Sequence, residues 1–190
     1  MKKVLTVVLM LAICFSLTVP VFASDFHDVP EAAWYEYDLD YAVRIGMIKG
    51  DGAGHFLPEQ PVTMAQFVTM LGRVFSPIVS NSYDRYIEWA LNSGYFDDFD
   101  LDATILVDHF AVLLDMFMYR YGLDMPEVDP EYMCVDFNDV AGYAQQSTDR
   151  MLRYGLLVVG EDNHLYPYKK LTRAECMVSI VRLAKAQGIR

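Results

Sequence analysis

Catalytic signatures are what this 190-residue sequence most plainly lacks. It holds no G-x-S-x-G turn for an activated serine and no H-E-x-x-H helix for a catalytic metal, and its four histidines fall in unrelated segments. Cysteine and histidine never take up zinc-type spacing, so neither a metal nor a cofactor is expected. Basic charge is scarce as well: 15 Lys and Arg stand against 26 Asp and Glu, for a formal net charge of −11. Nucleic acid and anionic lipid are poor partners for such a chain, because binding to phosphate draws mainly on Lys and Arg. Acids are frequent enough to supply a glycosidase pair, but spacing along a sequence cannot set two carboxylates across a cleft. No enzyme is expected.

Cysteine is limited to Cys14, Cys134 and Cys176. Residues 1–23 read as a signal peptide: Lys2 and Lys3 precede an apolar run from Val4 to Val19, Pro20 breaks it, and Ala23 supplies the small residue before a cleavage site at Ser24. The run is short for a membrane span, and the bulky Ile13 before Cys14 argues against lipidation. Export permits a disulfide between Cys134 and Cys176. However, Cys176 falls on the apolar face of a helix, where a buried free thiol is the simpler expectation.

Internal repetition dominates the remaining residues. Phe26–Phe75 and Phe137–Ala184 align without a gap from Gly46/Gly155 through Pro58/Pro167 and Thr63/Thr172 to Leu71/Ile180. Before the glycine the later copy is read as two residues shorter, which pairs Asp28 with Asp139 in a shared F-x-D-V. A middle copy is recovered from Tyr86–Phe96 and Ile105–Phe117, with Gly94 in the place of Gly46. Phe67, Met70, Leu71 and Val74 correspond to Phe110, Leu113, Leu114 and Phe117, one face of a helix in each case. The boundaries are 24–76, 83–121 and 133–187, and the middle copy is degenerate.

Each copy reads as helix, glycine-ended loop, helix. Tyr35, Leu39, Ala42 and Val43 form the buried face of the first helix, and an aromatic before the loop proline, Phe56, plugs the core. Thr63 with Gln66, and Thr172 with Glu175, have the spacing of capping boxes. Arg173 is unusual, being a cation in the first turn, where the helix dipole disfavours it. Two readings stand: a solvated or acid-paired surface residue, or one prong of a seat for an anion drawn to unpaired first-turn N–H groups. Trp34 is open to packing or to stacking on a sugar ring.

The motifs F-x-D-V, W-Y, A-x-x-x-G-M-I-x-G, G-x-F-x-P, V-T-x-A-x-F and L-T-R-A-E resemble those of the S-layer homology (SLH) domain family. The resemblance implies a mainly α fold: three helix-loop-helix repeats packed as a pseudo-threefold spindle around a central helical bundle. It further implies a secreted, non-catalytic module associated with the cell wall or S-layer, whose grooves bind pyruvylated secondary cell-wall polysaccharide of the Gram-positive type. The ligand-binding residues it carries over are Arg173, Thr172, Glu175, Asp139, Trp34, Asp28 and Gly50. The motif arginine is matched at Arg173 alone, since Met64 and Val107 stand in the other copies; Tyr143 matches Trp34, and Val159 replaces Gly50.

The alternative is a degenerate module that binds an envelope protein instead of glycan, through exposed aromatics such as Tyr119 and Tyr121 or through its acidic face. No membrane contact is expected after signal cleavage. The acidic run Asp97–Asp102 resembles a calcium loop only in part, because Ala103 and His109 occupy the places of the required glycine and glutamate, and it is read as an acidic loop.

Overall fold

The computed structural model describes residues 25–94, 100–128 and 134–190. Residues 1–23, expected to be a signal peptide, with Cys14, the start of the acidic run at Asp97 and the boundary residue Met133 lie outside the described residues. The fold is mainly helical: α1 (Glu36–Arg44), α2 (Met64–Phe75), α3 (Tyr83–Asn92), α4 (Val107–Tyr121), α5 (Gln145–Arg153) and α6 (Arg173–Ala186), with no strand among the described residues.

Composition sorts these helices into two classes. In α2, α4 and α6 apolar side chains occur nearly all round, and most residues are buried; α6 buries every position from Ala174 to Val181. A helix apolar on all sides belongs in a core. Phe67 of α2 and Phe110 of α4 meet edge to face, their ring centroids 5.5 Å apart, and Phe75 and Phe117 repeat the contact at 5.3 Å. By contrast α1, α3 and α5 bury only two or three residues each, on one stripe, and lie outside. Each inner helix carries the outer helix that follows it: α2 packs on α3, α4 on α5, and α6 returns to α1. Burial of Tyr35, Leu39 and Ala42 on α1 agrees with the sequence expectation.

The inner helices are joined at their N-terminal ends by a closed ring of backbone hydrogen bonds. Val62 N–H donates to Leu171 O at 2.9 Å, Leu171 N–H to Ile105 O at 2.8 Å, and Ile105 N–H to Val62 O at 3.0 Å. Three antiparallel bridges flank the ring, Pro61 with Thr172, Thr63 with Thr104 and Leu106 with Lys170. Next to the ring the first two N–H groups of every inner helix donate to the loop that precedes a different inner helix. Met64 and Ala65 reach Ala103 O and Leu101 O, Val107 and Asp108 reach Lys169 O and Pro167 O, and Arg173 and Ala174 reach Gln60 O and Pro58 O, all at 3.0 Å or less.

A helix start leaves four N–H groups without intrahelical partners. Two are now consumed by the neighbouring loop. In α2 and α6 a third is taken by the cap: Thr63 Oγ1 accepts from Gln66 N–H and Thr172 Oγ1 from Glu175 N–H, and both capping boxes are complete. Leu106 at the start of α4 has no capping side chain.

Both Cys134 and Cys176 are buried free thiols. Burial, reinforced by the Asp136 carboxylate, pushes the Cys134 thiol up to about 11, and burial raises Cys176 further. Since the thiolate is the reactive form, iodoacetamide at about pH 8 should leave both cysteines unmodified in the native chain and label both in urea. Labelling of native Cys176 at the unfolded rate would mean that α6 does not occupy the core.

Candidate functional site

The site grows from the loop between α1 and α2. Asp51 organises its first half: the carboxylate accepts N–H bonds from Ala53 at 2.7 Å and His55 at 3.0 Å and meets the His55 ring at 2.9 Å. Those bonds, from His55 N–H foremost, lower its pKa to about 2. Gly50 adopts φ +68°, and a Cβ there would lie 2.6 Å from the Phe26 ring, so this position requires glycine for backbone and packing together. The loop then turns inward at Phe56, which is fully buried as expected, and outward at Leu57, whose φ of 61° is left-handed. A branched side chain in that region is strained. Asp28 holds it there, with one carboxylate oxygen accepting from Phe56 N–H at 2.8 Å and the other from Leu57 N–H at 2.7 Å.

The same device recurs before α6, but not through the residue that the motif named. Leu165 and Tyr166 take the places of Phe56 and Leu57, Tyr166 also has a left-handed φ of 56°, and the carboxylate that accepts both N–H groups belongs to Asp136, at 2.8 and 2.7 Å. His27 N–H to Gly54 O is matched by Val135 N–H to Asn163 O. Phe26 is therefore matched by Cys134 and Asp28 by Asp136. This corrects the pairing of Asp28 with Asp139 and the inferred two-residue shortening: from Phe26 to Tyr35 and from Cys134 to Ala144, the later stretch is one residue longer. Asp139 instead closes the short 3-10 turn Phe137–Asp139 and is exposed. The repeated F-x-D-V letters misled because the fold preserves the hydrogen bonds of the aspartate, not the identity of the buried residue two places before it.

Arg173 projects from the first turn of α6 across this loop. Its guanidinium carbon lies 5.5 Å from the centroid of Phe56. The residue is half-buried, its Nε is buried without an acceptor, and among the described residues it forms no ion pair. Burial depresses its pKa and the charge of Arg73 adds to this, while Cys176, Tyr83 and Asp28 act in the other direction. Arg73, ten residues beyond the cap of α2, is a second guanidinium here that sequence reasoning missed. Its Nη1 donates to Met47 O at 2.9 Å, its Nε is buried and unpartnered, and burial lowers its pKa too. The signal was available, for the gapless alignment sets Arg73 opposite Arg182, which donates to Gly155 O in the same way.

Two cations thus share one region without a carboxylate bonded to either, an arrangement suited to an external anion. The anion would not be drawn by free helix N–H groups, contrary to the sequence argument. The Arg173 and Ala174 N–H groups are spent on Gln60 and Pro58, and the Glu175 N–H on Thr172.

The remaining predicted residues face a different side. Thr172 and Glu175 close the capping box, and the outer oxygen of Glu175 also pairs with Lys169 Nζ at 2.5 Å. Glu175, Lys169, His164, Arg182 and the exposed Trp34 line a cavity of about 560 Å³. Trp34 stacks edge-on against Tyr35 at 5.3 Å, and Tyr35 in turn lies 5.7 Å from Phe56. Trp34 and Arg173 therefore sit at the two ends of one aromatic row. Tyr143, the counterpart of Trp34, lines a smaller cavity of about 340 Å³ beside His109 and Ala103, which replace Glu175 and Lys169.

These contacts make the two aspartates distinguishable. Burial opposes ionisation of Asp136, but the Leu165 and Tyr166 N–H bonds outweigh it and hold the carboxyl below its usual range. A depressed native pKa contributes stability above the unfolded value that is lost as pH falls through the native one. Asp136→Asn should cost about 2 kcal/mol at neutral pH and flatten the acid limb of the stability curve, whereas Asp139→Asn should stay within about 0.5 kcal/mol of the parent. Urea unfolding between about pH 3 and pH 7 measures both, and equal losses would restore Asp139 as the structural partner.

A model of the S-layer homology domain matches residues 25–68, from the Asp28 segment through α1 and the loop into the first turn of α2. No curated protein matches the chain. S-layer homology domains are non-catalytic modules that bind cell-wall polymers, and the match over residues 25–68 suggests cell-wall anchoring and cell-surface association in general.

Proposed function

We propose that the chain is a secreted, non-catalytic module of three S-layer homology repeats, at residues 24–76, 83–121 and 133–187, packed as a pseudo-threefold spindle. It would hold to the cell envelope by binding pyruvylated cell-wall polysaccharide. The family match, residues 25–68, falls within the first of these segments. The ring through Val62, Ile105 and Leu171, with its threefold recurrence of first-turn hydrogen bonds, supports the spindle. Removal of residues 1–23 on export remains part of the proposal.

The observation that carries the binding role is the guanidinium of Arg173, which is half-buried and has no ion-pair partner among the described residues. A pyruvyl ketal places a carboxylate on a sugar ring. A forked guanidinium can take both oxygens of that carboxylate, and Arg73 adds field from the same side. Trp34, at the far end of the row through Tyr35 and Phe56, offers a face for a neighbouring sugar ring of the polymer. Asp28 and Gly50 act by shaping the loop beneath the ligand, Thr172 and Glu175 by setting the start of α6, and Asp139 is left at the rim of a separate depression beside Asp136 and Tyr166.

A second reading is favoured by the same comparison of first-turn residues. Met64 and Val107 occupy the places equivalent to Arg173 and are buried, so two of the three positions offer no charge. A module with one remaining seat could instead contact an envelope protein, using exposed aromatics such as Tyr119 and Tyr121 or its acidic face.

Sedimentation with purified walls separates the two. The mature chain should pellet with walls bearing pyruvylated polysaccharide and not with walls stripped of pyruvyl groups. Arg173→Ala should weaken the association about tenfold or more, and Arg173→Lys should not restore it, because an ammonium lacks the fork. Unchanged pelleting of Arg173→Ala would remove the site, and pelleting indifferent to pyruvyl groups would favour a protein partner.

A further inference from the structure

The stripe of α3 from Arg85 to Asn92, the C-terminal end of α4 and Ile78 of the segment following α2 border an open cleft of about 590 Å³. Leu106 stands beside the ring and Tyr121 ends α4, so at 1.5 Å per residue the Tyr121 side of the cleft lies about 20 Å along α4 from the ring end, where Arg173 begins α6. Neither the matched segment nor any of the residues expected to bind glycan contributes to it. The size suits a small ligand rather than a macromolecular face.

Its lining is a specific set. Trp89 and Tyr121 form an aromatic corner, ring centroids 6.0 Å apart and inclined at 38°, and Tyr121 is backed by Phe117 at 4.6 Å. Arg85 and Trp89 are one turn apart on α3, and Asn92 follows on the same stripe. From α4, Arg120 leans across, with one Nη donating to Ser93 O at 3.4 Å, which leaves most of its donors uncommitted. Neither Arg85 nor Arg120 forms an ion pair among the described residues. Two unpaired arginines beside two aromatic rings are notable where acids outnumber bases 26 to 15. Among the described residues, Glu88 is the sole carboxylate of the lining.

Each feature restricts the ligand. An aromatic face supports the apolar C–H face of a pyranose. Two guanidiniums call for a carboxylate. Asn92 can donate to and accept from hydroxyl groups, while Glu88 accepts from hydroxyls and repels a second negative charge. A phosphate or other polyanion is disfavoured by Glu88, and a neutral sugar leaves both arginines unused. We propose that this cleft is a binding site for a carboxylated sugar of the uronate class, independent of the seat at Arg173.

The test uses the full chain and its two tryptophans, Trp34 and Trp89. Each gives one indole N–H resonance, assigned with Trp89→Phe, and the two report separate cavities. Titration with glucuronate should move the Trp89 resonance along a saturable curve with a dissociation constant of about 1 mM. Glucose should need at least about tenfold more, and Arg85→Gln with Arg120→Gln should abolish the response in a chain whose remaining spectrum is unchanged. No saturable shift, an equal response to glucose, or a response surviving both substitutions would overturn the proposal. An equal response to a triglutamate peptide would overturn the sugar class. Because Trp89 reports this cleft directly, failure here leaves the wall-sedimentation result for Arg173 to stand or fall by itself.

Discussion

Everything in this molecule hangs from the closure of Val62, Leu171 and Ile105 into one backbone ring. Burying the starts of three helices against one another would strand their N–H groups, at a cost of about 1–3 kcal/mol for each one left unsatisfied. The chain avoids this by lending the loop before each inner helix to the first turn of another. Ring, bridges and first-turn bonds form one set, and no inner helix can be seated without its neighbours. The outer helices follow passively, each riding on the inner helix before it, and the return of α6 to α1 closes the circuit between chain ends.

That closure changes the electrostatics at Arg173. A free helix N-terminus attracts anions through its exposed N–H groups, but here those groups are spent. What remains is the guanidinium itself, held over Phe56 and depressed by burial, with Arg73 near enough to add its charge. The geometry is that of a cation waiting for a partner, not of a dipole offering one. The loop below it is held by a carboxylate that bonds two successive N–H groups and keeps Leu57 in a conformation branched residues avoid. Such strain is characteristic of loops whose shape matters more than their stability.

The segments of the chain share parts of this frame and differ at their surfaces. Asp136 repeats the role of Asp28, and Arg182 repeats that of Arg73, yet Cys134 stands where Phe26 stands and Leu165 where Phe56 stands. The first turns differ most: Met64, Val107 and Arg173 have the same backbone bonds and different side chains. Backbone bonding is indifferent to side-chain identity, so the same bonds form with three different side chains at these positions. One of them carries charge, and Arg85 and Arg120 around Trp89, without ion pairs among the described residues, add a second cationic feature.

Helix content, the capped starts at Thr63 and Thr172, the buried stripe of α1 and the plugging role of Phe56 were legible in the sequence, because each depends on spacing within a few residues. The singular position of Arg173 was legible for the same reason. The partner of Leu165 and Tyr166 was not: matching letters pointed to Asp139, while the carboxylate within reach is that of Asp136, about thirty residues from the groups it binds. Nor could a linear pattern show that first-turn N–H groups are consumed by a distant loop, or that Arg73 and Arg173 share a region, or that Trp89 and Tyr121 meet. Local chemistry determined which helices form and where they begin. Only the closed packing of those helices decided which charges were left without partners, since that depends on what the rest of the chain brings alongside.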